Sequence, residues 1–127
     1  MILAGDFYNV VSTVTEAGRT ASVLKINPEH SIFKGHFPGQ AVVPGVCMMQ
    51  MVKELIEMAT SRQLRLHTGL DLKFLSVIDP GQNSTVHTDA DYTELASGDI
   101  NVTARIFFND TTFFKFKGVF TASNTVA

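Results

Sequence analysis

Lys34-Gly35-His36-Phe37-Pro38-Gly39-Gln40-Ala41-Val42-Val43-Pro44-Gly45-Val46 runs directly into Cys47-Met48-Met49-Gln50-Met51-Val52-Lys53, and the rest of the chain is built around these residues. Its prolines and glycines mark a short loop. Pro44 then stands where a first helical turn tolerates proline, because its missing N–H would have no intrahelical partner. Over 46–58 apolar residues dominate, while Gln50, Lys53, Glu54, Glu57 and Ser61 recur on one face at helical spacing. The pattern predicts one long, mostly buried helix from about Pro44 to about Arg62, roughly 28 Å at about 1.5 Å per residue. Its N-terminus lies near His36, and unpaired N–H groups there can stabilise a carbonyl oxygen or a developing oxyanion.

The chain has 127 residues, 45% hydrophobic and 17% charged, which suits a single domain over 1–127 with an adequate core. A formal net charge of −2 and the lack of a dense Lys/Arg run argue against nucleic acid as a partner. Met1-Ile2-Leu3-Ala4-Gly5-Asp6 has neither a basic leader nor a long apolar run, and no stretch is long and uncharged enough to span a bilayer. A cytosolic protein without membrane contact is expected. Cys47, the single cysteine, cannot form an internal disulfide or a zinc site alone.

Either side of the central stretch the sequence reads as strands. Residues 7–15 and 20–26 are rich in β-branched side chains and flank Glu16-Ala17-Gly18-Arg19, a hairpin turn. Asn27-Pro28-Glu29 ends the second strand, because Pro28 cannot donate to a ladder. After the helix, strands are predicted over 70–78, 84–92, 100–106 and 113–121, with turns at Asp79-Pro80-Gly81 and at Phe108-Asn109-Asp110-Thr111. The last strand places Phe114, Phe116 and Phe120 on one side and Lys115 and Lys117 on the other. Residues 123–127 read as a loose tail. Two strands, a long helix and four more strands in hairpin succession predict an α+β domain, a curved antiparallel sheet wrapped around one central helix: the hot-dog layout.

His36-Phe37-Pro38-Gly39, followed by Pro44-Gly45-Val46 at the helix start, resembles the (3R)-hydroxyacyl-acyl carrier protein dehydratases of the FabZ/FabA type. The likeness extends over 27–33 before the motif and through Leu72-Lys73-Phe74 to Pro80-Gly81 after the helix. It implies syn elimination of water from a 3-hydroxyacyl thioester in fatty-acid or polyketide-type synthesis. His36 matches the histidine that takes the α-proton, and Gly45 the residue whose N–H polarises the thioester carbonyl. Phe37, Pro38 and Val46 flank them as substrate-binding residues. The family's second reactive group is a glutamate or aspartate on the helix, supplied by the other subunit of a dimer; here that position is Gln50.

An amide neither gives up nor accepts a proton at useful pH, so Gln50 cannot be a general acid. What remains is a single-histidine mechanism, in which His36 returns the α-proton to the departing hydroxyl while Gln50 holds that hydroxyl. Gln50 also reads simply as the start of a solvated helix face continuing through Glu54 and Glu57. Glu54 could replace the acid only for a substrate seated deeper than usual. Cys47, Met48, Met49, Met51 and Met58 read first as core packing, with an acyl tunnel as the other use of the methionines. His30, His67 and His87 read as structural or surface residues. No cofactor or metal is implied, since no His/Cys/Asp cluster has ligand spacing.

The expected partners are an acyl thioester on acyl carrier protein or coenzyme A and a second copy in a homodimer or higher homo-oligomer. Lys34, Lys115 and Lys117 are the candidate landing charges for an acidic carrier. Alternatives are a catalytically degenerate acyl-thioester-binding subunit of a dehydratase complex and a hot-dog thioesterase, although the motif supplies no carboxylate or activated water for the latter.

Overall fold

The computed structural model describes residues 2–35 and 41–123. Strands β1 (Tyr8–Glu16) and β2 (Arg19–Ile26) form the first hairpin. Gly18 carries a φ of 78°, a left-handed conformation that glycine adopts without a Cβ clash. Asn27 Oδ1 accepts from the Glu29 N–H at 3.0 Å as the chain leaves β2. A one-turn helix not anticipated from the sequence comes next, α1 (Ile32–Gly35). His30 initiates it: Nδ1 accepts the Ile32 N–H at 3.1 Å while Nε2 meets Asp6 Oδ2 at 3.0 Å.

The long helix α2 (Gly45–Thr60) starts one residue after Pro44, which stays extended as the cap with φ −62° and ψ 147°. The Pro44 carbonyl accepts the N–H groups of Cys47 and Met48 at 3.0 and 3.2 Å. The helix ends before Arg62 because Ser61 turns left-handed at φ 55°, its N–H bonding back to the Glu57 carbonyl.

The next strand begins earlier than the sequence predicts. In place of the strand predicted over 70–78, β3 (Leu64–Phe74) begins three residues after Ser61. Residues 75–78 run beside β6 and then cross to the helix start: Leu75 N–H donates to Phe113 O at 2.9 Å, and Val43 N–H to Ile78 O at 2.9 Å. Ile78 is fully buried at that crossing, whereas Leu75 and Val77 are exposed. Next come β4 (Thr85–Glu94), β5 (Ile100–Phe108) and β6 (Thr111–Ala122), close to the expected spans.

All six strands join one antiparallel sheet in the order β1-β2-β4-β5-β6-β3. Its inner face packs on α2 in the expected hot-dog arrangement. Phe114, Phe116 and Phe120 point inward and are essentially inaccessible, against Met48, Met51, Val52, Leu55 and Ile56 of the helix. Each such side chain contributes about 1.5–3 kcal/mol by leaving water. Gly118 lies in the same inward row. A Cβ there would stand 2.6 Å from the Thr68 carbonyl oxygen and 2.5 Å from the Phe116 ring, so β3 approaches β6 more closely than any side chain permits.

On the outer face, register places Arg105 of β5 beside Lys115 of β6, and Lys115 beside Lys73 of β3. Arg105 pairs with Asp89 at 2.9 Å and Lys73 approaches Asp71 at 3.6 Å. Lys115 has no ion pair among the described residues. The sheet edges are β1 and β3, and β3 exposes Leu66, Leu70, Leu72 and Phe74.

Candidate functional site

The start of α2 carries the first half of the candidate site. With Pro44 as a cap that has no side-chain hydrogen bond, the Gly45 and Val46 N–H groups have no acceptor among the described residues. Gly45 lies against the ring of Phe74, whose Cε1 would be 2.8 Å from a Cβ at this position. Phe74 is held in turn by stacking on Phe114 at 4.9 Å between centroids. Beside them opens an apolar groove of about 540 Å³, lined by residues of 42–45, Met48, Phe74 and residues of 75–77. The free N–H groups and apolar walls suit a carbonyl attached to a hydrocarbon chain. Val46 is strongly exposed on the first turn. Of the methionines, Met48 reaches this groove, whereas Met51 is wholly core. His36, Phe37 and Pro38 lie outside the described residues.

Gln50 stands five positions further on, about 7.5 Å along the helix axis and roughly 140° around it. It opens onto a different groove of about 290 Å³, with Ile2, Lys53, Glu57, Gln63, Leu64 and Ser123. The two grooves share no lining residue.

Sequence reasoning did not find what lies beneath Gln50. Glu54 belongs to no solvated face; it is fully buried. Its Oε2 accepts the N–H groups of Ile2 and Leu3 at 3.1 and 3.0 Å and Gln50 Nε2 at 2.8 Å. Its Oε1 accepts the Ala4 N–H at 2.8 Å and the Tyr8 hydroxyl at 3.0 Å. Burial alone would push the carboxyl up, but the hydrogen bonds from Gln50, Leu3, Ala4 and Tyr8 outweigh it and hold the group below the usual carboxylate range. Tyr8 moves the other way. Burial, together with the Glu54 charge and hydrogen bond, drives its phenol well above the ordinary value, so it stays a donor. The available signal was the polar Gln50-x-x-x-Glu54 spacing, but the donors come from the chain's beginning, which helical periodicity does not reveal.

The other candidates fall away from chemistry. Burial pushes the Cys47 thiol up, which suits packing rather than a thiolate nucleophile. His30 is a structural cap. His67 bonds Thr68 at 2.8 Å on the surface, and His87 packs near Phe107 and Phe108. Among the described residues no cluster of His, Cys, Asp and Glu is placed to hold a metal, and no helix is long and apolar enough to cross a membrane.

Known proteins carry the same frame. The 3-hydroxyacyl-[acyl-carrier-protein] dehydratase FabZ of Macrococcus caseolyticus is 24% identical over 103 residues, covering 76% of this chain and 71% of the relative. That of Rickettsia rickettsii is 30% identical over 89 residues, covering 54% of this chain and 61%, under two thirds, of the relative. Among solved structures, the dehydratase heterocomplex ApeI:P from Xenorhabdus doucetiae matches with a TM-score of 0.70 at 19% identity, over 87% of this chain and 95% of that one. PH1136 from Pyrococcus horikoshii matches with a TM-score of 0.68 at 11% identity, over 94% of this chain and 85% of that one, a likeness of fold. The ApeI dehydratase family model matches residues 12–117, which takes in the Gly45 groove and the whole of α2, and the chain accordingly belongs to the ApeI-like dehydratase family.

Proposed function

We propose that this chain dehydrates a 3-hydroxyacyl thioester, borne by acyl carrier protein or coenzyme A, in a site assembled from two chains in a homodimer. The observation carrying this reading is the separation of the two halves on one protomer. Gly45, with its free N–H, opens on the 540 Å³ apolar groove, and Gln50 opens on another with no residue in common. A second copy can bring its Gln50 to the first copy's Gly45. The exposed β3 edge, with Leu66, Leu70, Leu72 and Phe74, offers the surface for pairing.

In this reading the Gly45 N–H donates to the thioester carbonyl and acidifies the α-carbon. His36 takes the α-proton, the C–H electron pair becomes the C2=C3 double bond, and the C3–O bond breaks. Gln50 Oε1 of the other protomer accepts a hydrogen bond from the hydroxyl, which turns an oxygen lone pair toward the His36 imidazolium. His36 returns its proton there and water leaves. One histidine serves as base and then acid, so the cycle needs no carboxylate.

Assay of the purified protein on 3-hydroxyacyl thioesters of several chain lengths tests the reading. Water loss abolished by His36→Ala is the expected result; turnover unaffected by that substitution would defeat it. The second reading is a binding subunit working beside an active dehydratase chain. It is favoured by the amide where the family has an acid and by the tie of that amide to Glu54. Binding of an acyl thioester without turnover would support it.

A further inference from the structure

The bond between Gln50 Nε2 and Glu54 Oε2, 2.8 Å long, fixes more than a rotamer. An ionised carboxylate has no hydrogen to give, so the amide group facing it must be NH₂. Gln50 Oε1 is then turned away, and it has no hydrogen bond among the described residues. A free glutamine can rotate its amide to offer either group; this one spends one of its two N–H groups on Glu54 and holds Oε1 outward. Glu54 cannot rotate in response, since backbone N–H groups or the Tyr8 hydroxyl occupy both its oxygens. A fully buried carboxylate is also a poor way to pack a helix, as an apolar residue of similar volume often serves stability as well or better. Glu54 accepts three backbone N–H groups and the Tyr8 hydroxyl, which an apolar side chain could not do, and its bond to Gln50 adds to these.

We propose that Glu54 is a positioning residue that locks the Gln50 amide with Oε1 outward, so that the site selects an acyl chain bearing a hydroxyl at C3 over one bearing a ketone. A C3 hydroxyl donates to Oε1. A C3 ketone presents a second oxygen to it, and the two lone pairs repel. The selection rests on the dehydratase reading; the lock itself does not.

Two measurements separate them. The lock is read without any ligand, from the side-chain amide signals of Gln50 by nitrogen NMR. The expected result is a slowly exchanging, shifted Nε2 hydrogen that becomes ordinary in Glu54→Gln. A Gln50 amide that exchanges freely and equally in both proteins would overturn the inference, whatever the function. The selection is read by calorimetry in a His36→Ala background, which blocks turnover, with 3-hydroxyacyl and 3-oxoacyl pantetheine thioesters of equal length. A preference for the hydroxyl of about tenfold is expected, the worth of one well-made hydrogen bond, falling toward parity in Glu54→Gln.

Tyr8→Phe is the structural control. It removes a donor from Glu54 Oε1 without touching the Gln50 contact, so it should lower stability and leave the preference intact. In a Gln50→Leu background, Glu54→Gln should have no further effect on the ratio; an equal effect in both backgrounds would show that Glu54 acts elsewhere and overturn the proposal. If the lock is present and neither thioester binds, the acyl-thioester reading fails and the selection falls with it.

Discussion

Glu54 governs two properties at once, the anchoring of 2–4 to the helix and the identity of the group that Gln50 presents. Its folded pKa is depressed, so it contributes stability that is fully present above the unfolded value of about 4.3 and is lost as pH falls through the folded value. Glu54→Ala strands several donors and should cost about 2–4 kcal/mol in chemical denaturation at neutral pH, a deficit that shrinks below about pH 4 as wild type loses its own advantage. Gln50→Glu tests the missing acid. It sets a second carboxylate within hydrogen-bond reach of Glu54, and two such groups cannot both ionise freely, so one retains its proton toward neutrality. On the proposed mechanism this supplies a general acid and should raise kcat by a factor on the order of 10²–10⁴, with a loss of rate as pH climbs through the pair's upper pKa. A lower rate than wild type across the pH range would mean that the amide itself is required.

The helix was legible from its apolar stripe because periodicity is a local property, and Pro44 set its start to within one residue. Its end was not, since nothing in the residue type of Ser61 announces a left-handed φ of 55°. Ser61→Gly should relieve that backbone strain and raise stability by about 1 kcal/mol, read as a shift in the denaturation midpoint. The third strand was misplaced because apolar residues at 75, 77 and 78 looked like strand continuation; Ile78 is buried where its carbonyl meets the Val43 N–H, whereas Leu75 and Val77 are exposed along the Gly45 groove. Gly118 poses the opposite case, a glycine that looks unremarkable in sequence and has no room for a Cβ. Gly118→Ala should cost about 1–3 kcal/mol by forcing β3 away from β6, visible as faster amide exchange along Leu64–Phe74.

Assembly is the property the single chain expresses least. The alternating apolar row of β3 was half seen, at 70–74, but its exposure depends on which strand ends up at the sheet edge, and strand order is not written in local pattern. If that edge pairs two copies, Leu70→Glu should weaken association by about tenfold or more in sedimentation and reduce turnover in step, since each site then lacks its partner's Gln50. The outer face has a different consequence. Arg105, Lys115 and Lys73 stand abreast on three neighbouring strands; Asp89 and Asp71 pair with the outer two, which leaves Lys115, without an ion pair among the described residues, between like charges that push strands apart. The chain's net charge of only −2 provides no global repulsion to mask this local one. Raising ionic strength from about 0.01 to 0.15 M shortens the screening length from about 30 to 8 Å, so salt should stiffen this sheet, and Lys115→Gln should remove most of the gain in melting temperature. Desalting strengthens the Arg105–Asp89 and Lys73–Asp71 pairs but leaves Lys115 unscreened between two cations, so the strands that back the Gly45 groove should loosen in the wild type and hold in Lys115→Gln.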